Sequence, residues 1–288
     1  MHLKSPAKIN LYLHLFGKRM DGYHALETFF CPINFYDEIR LEQQDLREES
    51  QLLLADKVNP EPDFIENNII LKTIRAFDRA FGTKSSFKIS LKKNIPIQAG
   101  LGGGSSNAAS MLLFLAEHHQ KSDQKEKLIE IGASLGADVP GFLFNGPSIA
   151  RGLGEKLEKA PTLPDYTILL VNPRIPISTP HLFRQLSYPL IDKNTPSLSL
   201  PTVNFDIICH ELKNDLELKA IEICPPLSDL LGSIRKQQGC FLARLSGSGA
   251  TCYGLFHSKT DAQLAEKAIQ KQYPSYWTRL AKALSEKK

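Results

Sequence analysis

Between Pro96 and Ser110 the chain reads PIQAGLGGGSSNAAS, with Gly100, Gly102, Gly103 and Gly104 crowded into five positions. Glycine has no Cβ, so such a segment can take positive φ and let a bound group approach the backbone. Ser105, Ser106 and Asn107 follow, and then an apolar run. Ser or Asn directly before such a run marks a helix start, where free N–H groups and the helix dipole suit an anion such as phosphate. Neither common phosphate fingerprint applies. A P-loop needs Lys followed by Ser or Thr, and a dinucleotide loop counted from Gly100 and Gly102 would need glycine where Ser105 stands. A flexible linker is the plain alternative. By the reasoning from glycine alone, Gly103→Val should fill phosphate space and leave folding intact.

The flanking elements argue against a linker. Phe87, Ile89 and Leu91 alternate with Lys88 and Ser90, which predicts a strand. Ala108, Met111, Leu112, Leu115 and Ala116 share one helical face, widened by Leu113 and Phe114, which predicts a helix from about 107 to 118. Lys92 and Lys93 lie before the loop, either near nucleotide or simply at a solvated strand end.

At the start of the chain, Ile9, Leu11, Leu13 and Leu15 alternate with polar residues, which predicts a strand with one buried face. Lys8 and Asn10 then fall on the opposite face, where a solvated role is the default. A turn over Arg19–Gly22 leads to a second strand over 25–30. Residues 42–51 read as a solvated loop, and Pro60 and Pro62 as a break. Asn67 and Asn68 cap a helix carrying Ile69, Ile70, Leu71, Ile74 and Phe77. A further helix over 122–135 ends at Gly136, and Asp138 after it has the position of a turn-former or cap.

The second half opens with a strand at 166–171 and a proline-punctuated stretch, then a loop over 185–204. Asn214–Glu217 reads as structural. A helix through Leu227 and Ile234, strands at 240–245 and 252–256 around the small-residue loop Ser246–Thr251, and a helix with a Thr260/Gln263 capping box follow. This is the back half of a ferredoxin-like α+β domain. Residues 277–288 read as a basic terminal helix.

The chain has 288 residues, enough for two domains. Basic residues number 35 and acidic 31, an even mixture that points away from nucleic acid. No window is apolar enough to span a bilayer, and no signal-peptide core opens the chain. Five scattered cysteines without a C-x-x-C pair read as reduced thiols of a cytoplasmic protein.

The string P-x-x-A-G-L-G-G-G-S-S-N-A-A resembles the phosphate loop of the GHMP kinases, small-molecule kinases named for galactose, homoserine, mevalonate and phosphomevalonate. The resemblance implies a two-domain α+β fold: a ribosomal-protein-S5-domain-2-like N-terminal half (1–155, ATP-binding) and a ferredoxin-like C-terminal half (156–288, substrate side). It implies ATP, with Mg²⁺, over Pro96, Ala99, Gly100, Leu101, Gly102, Gly103, Gly104, Ser105, Ser106 and Asn107, with Asn68 and Lys93 as further contacts. Gln98 and Ala99 replace glycines found in some members.

The segment Ser5–His24 is similar to the opening of those members whose acceptor is a cytidine-diphosphate-linked methylerythritol. It implies transfer to the 2-hydroxyl of that alcohol. Lys8 and Asn10 would line the transfer site, and Tyr23 and His24 would hold the cytidine base, with Thr179 and Phe183 as substrate-side candidates. L-G-A-D-V-P resembles the family's catalytic motif, which makes Asp138 the general base. Lys8 would keep it ionised and stabilise the transferring group. The alternatives are another GHMP acceptor, a nucleic-acid module or an inactive sensor. The D-G-Y-H segment, the mixed charges and the retention of Lys8 and Asp138 argue against each in turn.

Overall fold

The computed structural model describes residues 1–55, 65, 67–144, 146–191 and 204–285. The break at Pro60 and Pro62 and most of the 185–204 loop lie outside them. The chain forms two compact units that interleave in sequence. The first comprises Met1–Ala7, Phe35–Ile95 and Gly102–Asn145, and the second Lys8–Asn34, Pro96–Leu101 and Gly146–Lys288. Two long strands, β1 (His2–Arg19) and β2 (His24–Gln43), contribute residues to both.

In the first unit, β3 (Gln51–Leu54) pairs in parallel with β4 (Phe87–Lys92), which pairs antiparallel with the end of β2 from Glu38↔Lys92 to Gln43↔Phe87. The alternation in β4 holds, with Phe87, Ile89 and Leu91 buried. They pack against helices α1 (Ile69–Phe81) and α2 (Gly103–His118), joined by α3 (Lys125–Leu135) and α4 (Val139–Leu143). Asn68 caps α1 as expected, its side-chain oxygen accepting from Ile70 N at 3.1 Å. Helix α2 is apolar on most of its circumference, which suits full burial.

In the second unit, β5 (Ser148–Gly152) pairs antiparallel with β2 and β6 (Lys156–Lys159), while β8 (Leu190–Ile191) joins the end of β1. A separate antiparallel sheet has the order β11-β7-β10-β9, from β7 (Thr167–Asn172), β9 (Cys240–Leu245), β10 (Cys252–Phe256) and β11 (Trp277–Ala281). Short helices α5 (Thr179–Arg184), α6 (Phe205–His210) and α7 (Glu217–Ile223) precede α8 (Pro226–Arg235), and α9 (Lys259–Gln272) follows β10. With α8 and α9 in the crossovers, this is the β-α-β-β-α-β arrangement of a ferredoxin-like domain. Leu169, Val171, Leu230, Ile234, Leu245 and Ile269 belong to its core.

Several expectations are corrected. Strand β1 is buried on both faces between Ala7 and Leu13, so Lys8 and Asn10 are 3% and 1% exposed rather than solvated. Residues 277–281 form β11 and pair with β7 from Trp277↔Asn172 to Ala281↔Ile168, so that stretch is not helical. The open edge of β7 supplies a ladder that a short free helix lacks, since helix nucleation is costly. Helix α2 starts at Gly103, four residues early, because Gly102 at φ +67° is its cap and Ser105–Asn107 lie inside it. Helix α3 starts at Lys125, and Gly136 is extended rather than left-handed. Ser258, not Thr260, caps α9, its hydroxyl accepting from Thr260 N and Asp261 N.

Candidate active site

The second unit brings Lys8, Asn10, Gly100 and the loop Ser246–Thr251 together. The Lys8 ammonium donates to Asn10 Oδ1, and Asn10 Nδ2 donates to Thr28 Oγ1 at 2.8 Å, which fixes the amide orientation. Lys8 N donates to Leu101 O at 3.0 Å. Thr251 N donates to Ala99 O at 3.2 Å, and the Ser246 hydroxyl to Gly100 O at 2.9 Å. The two small-residue loops are thus stitched by one main-chain bond and one hydroxyl-to-carbonyl bond. Gly100 has φ +73°, and a Cβ there would lie 2.1 Å from Ser246 O. At Gly247 a Cβ would lie 3.2 Å from Lys8 Nζ and 3.3 Å from Asn10 Oδ1. Glycine at both positions is what lets the backbones close around the ammonium. Gly100→Ala should therefore lower kcat/KM by roughly 100-fold, the scale expected when a catalytic constellation shifts by about an ångström. Steady-state kinetics beside a thermal melt check it, and wild-type turnover would refute the packing argument.

The clasp behind this loop is Asn214–Glu217. Asn214 Nδ2 donates to Leu245 O at 3.0 Å and Gly247 O at 2.8 Å. Asp215 accepts from Leu15 N at 2.9 Å and lies 3.4 Å from His14 Nδ1. Glu217 accepts from Leu245 N at 2.8 Å. The structural reading of this segment holds.

In the first unit the start of α2 offers N–H groups that no intrahelical acceptor reaches. Gly104 is exposed, and a Cβ on it would meet only Ile69, at 4.0 Å, so the approach to the helix start is open. Ser106 Oγ and Asn107 Oδ1 are buried without a hydrogen-bond partner among the described residues. These features fit a phosphate group. Gly103 behaves otherwise than expected. It is helical, and a Cβ there would press on Lys93 Nζ at 2.8 Å and Ile95 at 3.0 Å. A valine at 103 strikes the protein's own packing, not ligand space.

Lys93 donates to Asp37 Oδ2 at 2.5 Å and to Ile95 O at 2.9 Å. Burial lowers the Lys93 ammonium below the usual lysine pKa, and Asp37 opposes that shift. Asp37 is fully buried and also accepts from Asn94 N, Ile95 N and Asn107 Nδ2. It therefore ties the strand end before the glycine loop to the second turn of α2. Nothing in the sequence around Asp37 marks it, because its donors come from segments far along the chain. Asp138 stands at the N-terminal boundary of α4, half-buried, and its side chain does not cap that helix. Its backbone precedes Pro140, and Gly136 nearby would place a Cβ 3.4 Å from Ser105 Oγ.

On the second unit, Gly22 at φ +86° shapes the D-G-Y-H turn, with Arg19 N donating to Tyr23 O at 2.7 Å. Tyr23 is 64% exposed, whereas His24 is buried. The His24 ring lies 5.4 Å from Phe183 and 5.9 Å from Tyr188. Burial, then the Lys18 charge, push the His24 imidazole below its usual pKa, and its Nε2 has no partner among the described residues. Thr179, at the start of α5, shares a hydrogen bond with Ser248 of the second loop, 2.6 Å between hydroxyls. Sequence reasoning did not single out Tyr188 or Ser248.

Two family models match the chain: GHMP kinases N terminal domain over residues 68–146 and GHMP kinases C terminal over 204–275. Fold and loops together define a GHMP kinase. A homoserine kinase structure from Cytophaga hutchinsonii shares that fold, with a TM-score of 0.67 at 17% identity over 99% of this chain and 95% of that one. At higher identity stand proteins called 4-diphosphocytidyl-2-C-methyl-D-erythritol kinase. The relative from Chelativorans sp. is 38% identical, covering 96% of this chain and 93% of its own. That from Paramagnetospirillum magneticum is 35% identical over 98% of each. A solved 4-(cytidine 5′-diphospho)-2C-methyl-D-erythritol kinase aligns with a TM-score of 0.76 at 29% identity, over 99% of this chain and all of that one. The chain belongs to the 4-diphosphocytidyl-2-C-methyl-D-erythritol kinase family.

Proposed function

We propose that the protein transfers the γ-phosphoryl group of ATP to the 2-hydroxyl of 4-diphosphocytidyl-2-C-methyl-D-erythritol, a step of non-mevalonate isoprenoid precursor synthesis in the cytoplasm. Identity of 38% and 35%, over nearly the full length, to relatives carrying that name supports the reading most. In sequence, 1–155 is the ATP-binding domain and 156–288 the substrate-side domain, with Tyr23, His24 and Asp138 of the first stretch also reaching the acceptor.

The N–H groups at the start of α2, with Ser105 and Ser106, bind the phosphates. Mg²⁺ bound to the ATP phosphates would offset their charge; among the described residues no cluster of His, Cys, Asp or Glu forms a separate cage for it, so phosphate and water would supply its ligands. Asp138 takes the proton of the acceptor hydroxyl as its oxygen forms a bond to γ-phosphorus, and the bond from that phosphorus to the bridging oxygen breaks, releasing ADP. Lys8, oriented by Asn10, stabilises the charge on the transferring group. Asn68 and Lys93 serve the nucleotide indirectly, through the α1 cap and the Asp37 tie. Cytosine stacks on Phe183, and the neutral His24 imidazole offers Nε2 to the base edge, with Tyr23 closing over it. Such a stack contributes about 1–3 kcal/mol.

The test is ADP release with Mg-ATP and a panel of acceptor alcohols. The cytidine-diphosphate-linked methylerythritol should be turned over, and homoserine, galactose and mevalonate should be turned over little. Turnover of homoserine at an equal or greater rate would sink the assignment.

A further inference from the structure

Away from the glycine loop, the second unit carries a pocket of about 320 Å³ beside β9 and α8. Its charged lining is uneven: Lys213, Arg235 and Arg244 face it against Glu217. That carboxylate is already engaged by Leu245 N at 2.8 Å. Arg244 is 6% exposed, and the acceptors recorded for its guanidinium are the main-chain carbonyls of Leu11, Ile208 and Leu212. Three carbonyl dipoles engage part of its five N–H groups without neutralising its charge. A buried cation of this kind is costly unless an anion compensates it.

The rim supplies two more cations. Among the described residues Arg235 donates only to Ala243 O, at 3.2 Å, so most of its guanidinium donors remain for a ligand. Lys213 is 75% exposed and 3.8 Å from Asp215, a surface pair worth little. Phe241 and Cys240 give the pocket an apolar wall. Converging guanidinium groups favour phosphate oxygens, which they can grip in pairs.

We propose that this pocket is a second anion site, separate from the glycine loop, that takes a small molecule bearing a phosphate or diphosphate group. Asn214 is part of its wall, and the Asn214 amide holds the Gly247 carbonyl. An occupant thus abuts the residue that fixes the second loop. The proposal stands whether or not the acceptor assignment above is right.

The probe is inorganic pyrophosphate, titrated calorimetrically into the full-length protein with its nucleotide site saturated by a non-hydrolysable ATP analogue. One further site should appear. Lys213→Gln/Arg235→Gln should weaken it by roughly tenfold or more, as expected for losing charged donors. Affinity for the analogue should be unchanged, and so should the circular dichroism spectrum. Arg235→Gln alone should weaken pyrophosphate by roughly threefold or more, and it serves as the test if the double variant is unfolded. No heat of binding beyond the nucleotide site overturns the proposal, as does wild-type pyrophosphate affinity in the folded variants.

Discussion

Asp138→Asn should lower kcat by ~10²–10⁴ while KM for ATP and for the acceptor stays near wild type. The amide keeps the size of the side chain and its place at the start of α4 but cannot accept the hydroxyl proton. Lys8→Met should lower kcat by roughly 10²–10³, the scale of a removed charge-stabilising donor. Lys8 is sealed beneath Gly247 and hydrogen-bonded to Asn10, so water replaces the lost ammonium poorly. If Lys8 also keeps Asp138 ionised, the two groups act as one unit, and the double variant should lose less than the product of the single losses. Rapid-quench and steady-state measurements on all three variants decide this. A full product would leave Lys8 acting on phosphate alone, and an undiminished kcat in Asp138→Asn would remove it as the base.

Asp37→Ala should cost the fold about 3–5 kcal/mol, because it strands the buried Lys93 ammonium and three further donors. The midpoint of thermal unfolding should drop by roughly 10 °C. Asp37→Asn still accepts from the Asn94 and Ile95 amides and should lose less. In variants that remain folded, ATP affinity should weaken, since the tie from the strand end to Asn107 is gone. A melting curve like that of the wild type would show that Asp37 does not hold the helix start.

Periodicity made several elements legible. The alternation in 87–91 and the spacing along 108–116 and 227–234 gave strands and helices close to those observed, because each buries one patterned face or is apolar throughout. Strands β9 and β10 fall on their expected bounds, since Gly239 and the small residues from Ser246 to Thr251 flank them. What stayed hidden depends on distant partners. The burial of Lys8 and Asn10 comes from a loop more than 200 residues away, and local alternation can only report one covered face. The tail at 277–281 has composition compatible with a helix, and the vacant edge of β7 decides otherwise. Residue types propose a phosphate cradle at the glycine loop but do not give the role of each glycine. Gly100 makes room for Ser246, Gly102 supplies the left-handed cap and Gly103 clears Lys93. The tie made by Asp37 and the clasp made by Asn214 join segments that no window spans.

The interleaving of the two units has a bearing on synthesis. Every segment of the first unit lies before residue 146, so it can be completed while the rest of the chain is still being made. The second cannot close its sheet until β11 has emerged to cover the edge of β7, although its first strand residues, Lys8 to Arg19, are among the earliest translated. The buried apolar side chains among them, Ile9, Leu11, Leu13 and Leu15, must wait through most of elongation for late partners, as the main chain does for Tyr253, whose hydroxyl finally donates to Asn10 O at 3.0 Å. Long-range pairing of this kind is slow and leaves strand edges exposed meanwhile. The Lys8 ammonium is thus carried on one of the first strands to be made and enclosed by the loop Ser246–Thr251, which is made late.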